Sequence, residues 1–232
     1  MIEWYEELGM DVDPFEKNIL TIGNEEVLKE VFYSIFAGNM LFIEGCSGSG
    51  KTNLLRGAVK KFGGRKKVIY VNCKNVNNGL NIERVLKNGN GFLGRLFNTK
   101  PKNMILLLDE VQHLSEKNSE RIKYYFDSNY LRSVIFTAKS FDKTGLNKII
   151  MQRISKVIKL KPLTDYEAVK VLRSMVGDDL LSDRAIKKIY KHSDKNIGVL
   201  IDNSKMILKE MASQKKQKIT DEELEKILEG LK

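Results

Sequence analysis

The chain has 232 residues, of which 42% are apolar and 30% charged, a composition typical of a globular protein rather than a disordered, collagenous or disulfide-rich one. Its two cysteines, Cys46 and Cys73, cannot form a disulfide scaffold, which indicates a reducing compartment and a cytoplasmic protein. The first residues are acidic, without the apolar run of a signal peptide, and the longest aliphatic stretch is 104–108. We therefore expect neither a secreted nor a membrane-spanning protein, and no membrane partner.

The net charge of +10 is distributed unevenly along the chain. Residues 1–44 carry 2 basic and 10 acidic side chains, residues 45–161 carry 24 and 7, and residues 162–232 carry 14 and 13. Such an excess of positive charge in the middle of the chain favours a polyanionic partner such as nucleic acid. The alternative is a lysine-rich surface that only contacts water.

The predicted elements begin after an irregular N-terminal arm, residues 1–20, which is interrupted by Gly9 and Pro14. Apolar residues at helical spacing predict a first helix over 24–37, and the apolar run 40–43 predicts a buried strand. Further strands and helices then alternate. The strands are predicted at 67–73, 104–109, 133–137 and 157–160, and the helices at about 51–62, 82–97, 115–128 and 146–154. Apolar strands that alternate with helices indicate an α/β fold with a parallel sheet covered on both faces.

After Pro162 the pattern changes to helices alone. Thr164 with Glu167, and Thr220 with Glu223, are spaced as capping boxes that begin two of these helices. We therefore predict three segments, which are an arm at 1–20, an α/β core at 21–161 and an all-α domain at 162–232.

A glycine-rich segment, GCSGSGKT at 45–52, follows the first strand directly and precedes a helix. This is the P-loop pattern, in which glycines let successive backbone amides point into one concavity and the helix N-terminus adds positive potential. Lys51 is predicted to bridge the β- and γ-phosphates of ATP, and Thr52 to ligate Mg²⁺. The predicted nucleotide contacts are Gly45, Cys46, Ser47, Gly48, Ser49, Gly50, Lys51 and Thr52.

Two acidic residues, Asp109 and Glu110, end the third predicted strand. Asp109 is predicted to hold Mg²⁺ through its water shell, and Glu110 to accept a proton from the attacking water. A water-activating glutamate favours hydrolysis of a nucleoside triphosphate over the weaker alternative of a P-loop kinase. Gln112 and His113 either position this water or pack at the exit of the loop.

These two motifs resemble Walker A and Walker B of AAA+ ATPases. Residues 107–114, LLDEVQHL, are similar to replication-initiator and transposition-helper ATPases, including archaeal relatives, and residues 8–15 and 152–164 resemble the corresponding segments of secretion- and transposition-type members. The resemblance implies a P-loop NTPase core, with a five-stranded parallel sheet in the order 5-1-4-3-2, followed by a small all-α helical lid.

The resemblance also suggests roles for residues outside the two motifs. Thr137 matches a catalytic sensor of the γ-phosphate or the attacking water, with Lys139 as a competing candidate. The alternative is a threonine that only satisfies its own backbone. Arg153 matches the catalytic arginine finger that reaches a neighbouring subunit, the alternative being an ordinary surface arginine. Gly198 stands where relatives carry a nucleotide-sensing arginine, so hydrolysis is expected to be slow and poorly coupled to lid motion. The alternative is that Lys195 substitutes for that arginine.

The function expected from this resemblance is ATP hydrolysis by a homo-oligomer that grips nucleic acid without reading its sequence. The DNA-facing region of such relatives corresponds to residues 75–102 here, which are basic and rich in glycine. The alternative is a nucleotide switch that recruits or remodels a protein partner and does not bind DNA. In that case Trp4, Tyr5 and Phe15 of the arm form the docking face. If they do not, they pack the arm onto the core.

Overall fold

The computed structural model describes residues 3–16, 22–63, 68–75, 81–89 and 102–230. Its contacts divide the chain into two units. An α/β unit comprises Asn24–Cys46 and Gly50–Lys161, and a helical unit comprises Met1–Gly23, Ser47–Ser49 and Pro162–Lys232. Among the described residues, no helix is both long and apolar enough to cross a lipid bilayer.

Five parallel strands form the sheet of the α/β unit, in the order β2-β3-β4-β1-β5. Read from the other edge this is 5-1-4-3-2, so the sheet order implied by the family resemblance is confirmed. The strands are β1 Met40–Glu44, β2 Val68–Asn72, β3 Met104–Asp109, β4 Leu131–Ala138 and β5 Ile154–Lys159. Because β4 pairs with both β1 and β3, it lies between the strand before the glycine-rich loop and the strand that ends in Asp109.

Helices cover both faces of this sheet, as the apolar strands predict. On one face, Leu41 and Ile43 of β1 pack in a core that includes residues of α1 (Glu25–Ala37) and α2 (Lys51–Phe62). Phe42, which points the opposite way, packs in a second core with residues of three other helices. These are α3 Ile82–Gly89, α4 Glu116–Asp127 and α5 Lys148–Arg153.

Several element boundaries differ from the prediction, and β4 for example extends over Leu131–Ala138 rather than 133–137. The helix expected over 82–97 is described as α3 up to Gly89, and residues 90–101 lie outside the described part of the chain. Helix α5 begins at Lys148 rather than 146, because the Asn147 side chain accepts a hydrogen bond from Ile150 N and caps it. The fifth strand begins at Ile154, where its first residue already pairs with Met40.

The helical unit contains α6 Asp165–Val176, α7 Asp183–His192, α8 Ile197–Ser213 and α9 Asp221–Gly230, which confirms an all-α region after Pro162. The predicted capping box at Thr164 is present. Its hydroxyl accepts from Glu167 N at 3.2 Å, and the Glu167 carboxylate accepts from Thr164 N at 2.7 Å. The buried side of these helices forms one apolar core.

The N-terminal arm packs within the helical unit. Trp4 and Phe15 lie against its apolar core and stack on each other, with ring centroids 6.2 Å apart. Lys205 of α8 bonds to Asp13 at 2.7 Å, and its ammonium lies 5.9 Å from both ring centroids. The expectation that the arm packs onto the α/β core is therefore wrong for these residues, because their partners come from the helices.

Candidate functional site

The carboxyl ends of three strands bring the predicted site residues to one edge of the sheet. Ile43 of β1 pairs with Thr137 of β4, and Asn72 of β2 pairs with Asp109 of β3. Because all strands are parallel, the loop that leaves β1 and the residues that end β3 and β4 emerge at the same edge.

The glycine-rich loop needs glycine at its last turn. Gly50 has φ +93°, and a Cβ there would lie 3.1 Å from Asn24 Nδ2. Both facts favour glycine, since other residues rarely adopt this region. Along the loop, Gly45 and Ser49 are buried, Gly48 and Gly50 are half-buried, and Cys46 and Ser47 are exposed. Because α2 begins at Lys51, its N-terminal end lies at the close of this loop, a position that favours an anion.

Lys51 is almost completely buried, at 4% exposure, and its ammonium is held by the loop itself. Nζ donates to the carbonyl oxygens of Gly45 at 2.7 Å and Cys46 at 2.8 Å. Burial lowers the pKa of Lys51 below its ordinary value, while the negative charges of Glu110 and Asp109 oppose that shift. The loop therefore holds its one lysine next to the backbone that would surround a phosphate.

Asp109 is fully buried and accepts hydrogen bonds on both carboxylate oxygens. Oδ2 accepts from the Thr52 hydroxyl at 2.7 Å and the Tyr70 hydroxyl at 3.1 Å. Oδ1 accepts from the Thr137 hydroxyl and from Glu110 N, the latter at 3.1 Å. Three hydroxyls from three different elements thus converge on one carboxylate. The Thr137 hydroxyl is thus bonded to the side chain of Asp109.

Tyr70 is a residue of the site that the sequence interpretation missed. Its hydroxyl lies beside the Asp109 carboxylate, and burial together with that negative charge raises the pKa of Tyr70 to about 12. It therefore stays protonated near neutral pH and acts as a donor. The sequence held one signal for it, which is the alternation of side chains along a strand. Tyr70 and Asn72 are two residues apart and therefore share a face of β2, and Asn72 is the residue that pairs with Asp109.

Glu110 occupies the left-handed region of backbone conformation, with φ +57° and ψ +47°. A non-glycine residue there costs about 1–2 kcal/mol, and such strain is common where a side chain is aimed for function. Its backbone amide is anchored on Asp109, and Gln112 Nε2 donates to its Oε2. Gln112 therefore holds the carboxylate of Glu110, whereas His113 is exposed.

The donor set at this edge fits a hard divalent cation and a phosphate. Hydroxyl and carboxylate oxygens are the ligands that Mg²⁺ prefers, and Thr52 and Asp109 provide one of each within 2.7 Å. The buried ammonium of Lys51 and the glycine-rich backbone provide the positive side of an anion site. The metal-binding and phosphate-binding parts of the site meet at adjacent residues, since Thr52 follows Lys51 in α2.

The remaining predicted site residues lie elsewhere. Arg153 ends α5 immediately before β5, and β5 begins opposite Met40, the first residue of β1. It is therefore at the amino edge of the sheet, away from Asp109, and it forms a 2.6 Å ion pair with Asp127 of α4. Lys139 is exposed just after β4. Gly198 lies in the first turn of α8, which the Asn196 side chain caps.

Three solved structures from two organisms illustrate the likeness in fold. The Thermotoga maritima RuvB Holliday junction branch migration motor has a TM-score of 0.70 and 16% identity, covering 94% of this chain and 73% of that one. Aeropyrum pernix ORC1 in complex with DNA has a TM-score of 0.73 and 14% identity, with coverages of 97% and 68%. Domain III of the Thermotoga maritima replication initiation protein DnaA has a TM-score of 0.68 and 21% identity, with coverages of 95% and 98%.

At these identities the likeness establishes the fold alone. No curated protein matches the chain by sequence. A protein-family model described as "AAA domain" matches residues 37–169, which is more than half of the chain. The match includes the glycine-rich loop, Asp109, Glu110, Thr137 and Arg153, so the resemblance inferred from the two Walker motifs is confirmed. This chain belongs to the AAA domain family.

Proposed function

We propose that this protein binds ATP with Mg²⁺ and hydrolyses it to ADP and phosphate. The observation that carries the proposal is the convergence of Thr52 and Thr137 on the buried carboxylate of Asp109, next to the Lys51 ammonium. A buried aspartate with this many donors, beside a phosphate-binding loop, matches the two halves of a P-loop hydrolase site.

Each residue has a distinct role in this proposal. Lys51 and the loop amides bind the β- and γ-phosphates, and Thr52 and Asp109 hold the metal, which supplies positive charge to the triphosphate when bound. Glu110, oriented by Gln112, accepts the proton of the attacking water. Thr137 keeps Asp109 in position. Catalysis therefore depends on the geometry of one carboxylate and on the protonation of another.

Release of inorganic phosphate from ATP and Mg²⁺, measured without any acceptor, tests this proposal. An ATPase transfers the γ-phosphoryl group to water and releases phosphate in stoichiometric excess over protein, whereas a P-loop kinase transfers that group to its acceptor and releases no inorganic phosphate. The Lys51→Ala variant is the control for contaminating activity, because it should lose the phosphate contacts that an unrelated ATPase would keep. Equal rates for the two proteins would contradict the proposal.

We propose further that the protein works on nucleic acid as a homo-oligomer, without reading base sequence. The support is the excess of basic over acidic residues at 45–161, and the descriptions of two fold neighbours as a Holliday junction branch migration motor and as a protein in complex with DNA. Exposed basic side chains of the α/β unit lie on α2 and near the ends of other elements. They include Arg56, Lys60, Lys61, Lys74, Arg84 and Lys102.

Binding to a DNA duplex of arbitrary sequence, measured over a range of salt concentrations, tests this second proposal. Affinity should fall steeply with salt, and Lys60→Gln/Lys61→Gln should weaken binding and reduce the slope by about one unit per lost phosphate contact. Lys187→Gln/Lys191→Gln is the matched control, because it removes two exposed charges from α7 in the helical unit. Equal losses in both variants, or binding that does not respond to salt, would contradict the proposal.

The alternative, a nucleotide switch for a protein partner, has less support. Its docking face was expected to be the arm, but Trp4 and Phe15 are already engaged with each other and with the helical core. Deleting residues 1–16 would decide between the two roles. DNA binding that survives the deletion favours the nucleic-acid function, and loss of a protein partner alone favours the switch.

A further inference from the structure

Tyr70 is placed next to Asp109 by the register of two neighbouring strands. Tyr70 of β2 pairs with Leu107 of β3, and Asp109 lies two residues further along β3 on the same face. A long side chain can reach the diagonal neighbour on the next strand. The Tyr70 hydroxyl does so and lies 3.1 Å from Asp109 Oδ2. Neither the glycine-rich loop nor the acidic pair calls for an aromatic hydroxyl at this position.

The two oxygens of Asp109 are held differently. Oδ1 is bonded by the Thr137 hydroxyl from β4 and by the amide of Glu110. Oδ2 is bonded by Thr52 and Tyr70, which are its side-chain donors within the part of the chain that the structure describes. Thr52 is itself the candidate metal ligand, so Tyr70 is the donor to Oδ2 that has no other task.

We propose that Tyr70 is a positioning residue for magnesium, whose hydroxyl fixes Asp109 Oδ2 so that the carboxylate would hold the water shell of the metal that the Thr52 hydroxyl would bind. This inference rests on the proposed ATP and Mg²⁺ site. Residues that bond to a metal-binding side chain hold its orientation, and losing one typically weakens metal binding about 10- to 100-fold. Tyr70 is 38% exposed as a residue, and replacement by phenylalanine removes its hydroxyl while it keeps the aromatic ring.

Binding of a fluorescent ATP analogue to the full chain, followed during titration with Mg²⁺, tests the inference without relying on turnover. For Tyr70→Phe, we expect the Mg²⁺ concentration at half-maximal metal-dependent binding to rise about 10-fold relative to wild type. Binding of the analogue in excess chelator should be unchanged, because Lys51 and the loop are intact. Tyr33→Phe is the control, since Tyr33 lies on α1 of the same unit and is 67% exposed.

A titration with Mn²⁺, followed by the paramagnetic resonance signal of the free ion in the presence of the analogue, provides a second measurement of metal affinity. It should show the same weakening in Tyr70→Phe. If wild type binds the analogue in a Mg²⁺-dependent manner and Tyr70→Phe gives the same metal midpoint, the positioning role is wrong and the proposed function stands. If wild type shows no Mg²⁺-dependent binding, the proposed function itself fails.

Discussion

Arg153, the candidate arginine finger, forms a 2.6 Å ion pair with Asp127 of its own chain. Both side chains are partly exposed, at 43% and 29%, and Asp127 also pairs with Lys123 at 3.0 Å. The strand register places Arg153 at the edge of the sheet opposite the Asp109 carboxylate. A catalytic role for Arg153 therefore requires the site of a second subunit, and its release from Asp127.

The first prediction separates a catalytic role of Arg153 in a neighbouring subunit from a purely structural role in the ion pair with Asp127. Arg153→Ala should reduce ATP turnover by at least about 10³-fold if the guanidinium stabilises the transition state in a neighbouring subunit. Asp127→Asn should keep or increase turnover, because it frees the arginine without removing it. Both rates are measured as phosphate release over a range of protein concentrations, and wild-type activity per subunit should rise with concentration.

Arg184→Ala is the control for this prediction, because Arg184 forms a comparable exposed ion pair with Asp221 in the helical unit. It should leave turnover unchanged. Should Asp127→Asn reduce activity as strongly as Arg153→Ala, the ion pair is structural and the trans role is wrong. Activity per subunit that does not depend on concentration leads to the same conclusion.

The second prediction concerns Glu110. Glu110→Gln should bind ATP with an affinity close to that of wild type but lose turnover by about 10²- to 10⁴-fold, because an amide cannot accept the proton of the attacking water. Binding is measured by calorimetry and turnover by phosphate release. Glu120→Gln, an exposed carboxylate of α4, should behave like wild type. Normal turnover by Glu110→Gln would exclude the glutamate as general base.

The third prediction uses the ion pair that holds the N-terminal arm. Burial alone would raise the Asp13 pKa, but the bond and charge of Lys205 hold it below its ordinary value of 3.8. A lowered carboxyl pKa stabilises the fold above the ordinary value, and this stabilisation is lost as the pH falls through the folded-state pKa. At pH 7, Asp13→Asn should therefore cost about 1–3 kcal/mol of unfolding free energy.

Trp4 is the only tryptophan of the chain and reports this change directly. Its emission should shift to longer wavelength in Asp13→Asn at pH 7, and the stability difference from wild type should shrink below pH 3.8. Asp11→Asn, an exposed carboxylate of the same arm, is the control. An unchanged emission spectrum in Asp13→Asn would show that the ion pair does not hold the arm.

The fourth prediction tests the capping box of α6. Thr164→Ala removes the acceptor for Glu167 N and should lower the unfolding free energy by about 1 kcal/mol in denaturant titrations. Thr164→Ser keeps the hydroxyl and should recover most of that loss. A serine variant as unstable as the alanine variant would mean that packing of the methyl group, rather than the cap, is responsible.

Local patterns were sufficient to predict most of the fold and the centre of the site. The strands that lead to the glycine-rich loop and to Asp109 are apolar runs. The loop and the acidic pair have the spacings that phosphate and metal chemistry require. The helix caps at Ser115 and Thr164 are likewise set by side chains within three residues of the backbone they bond.

Pairings between distant segments were not predictable in the same way. The Tyr70 contact with Asp109 depends on the register of β2 against β3, and a shift of one residue would turn Tyr70 to the other face. The Arg153 pair with Asp127 depends on how α4 and α5 pack. The arm has too few apolar residues for its own periodicity to indicate which unit it covers.

Calorimetric titration of ATP into the purified protein with Mg²⁺, repeated with Lys51→Ala, tests the central claim most directly. We predict saturable binding by the wild-type protein that weakens when Mg²⁺ is removed, and loss of binding in Lys51→Ala while its thermal unfolding remains cooperative. Absence of heat with the wild-type protein, or equal binding by both proteins, would contradict a phosphate site at Lys51, Thr52 and Asp109.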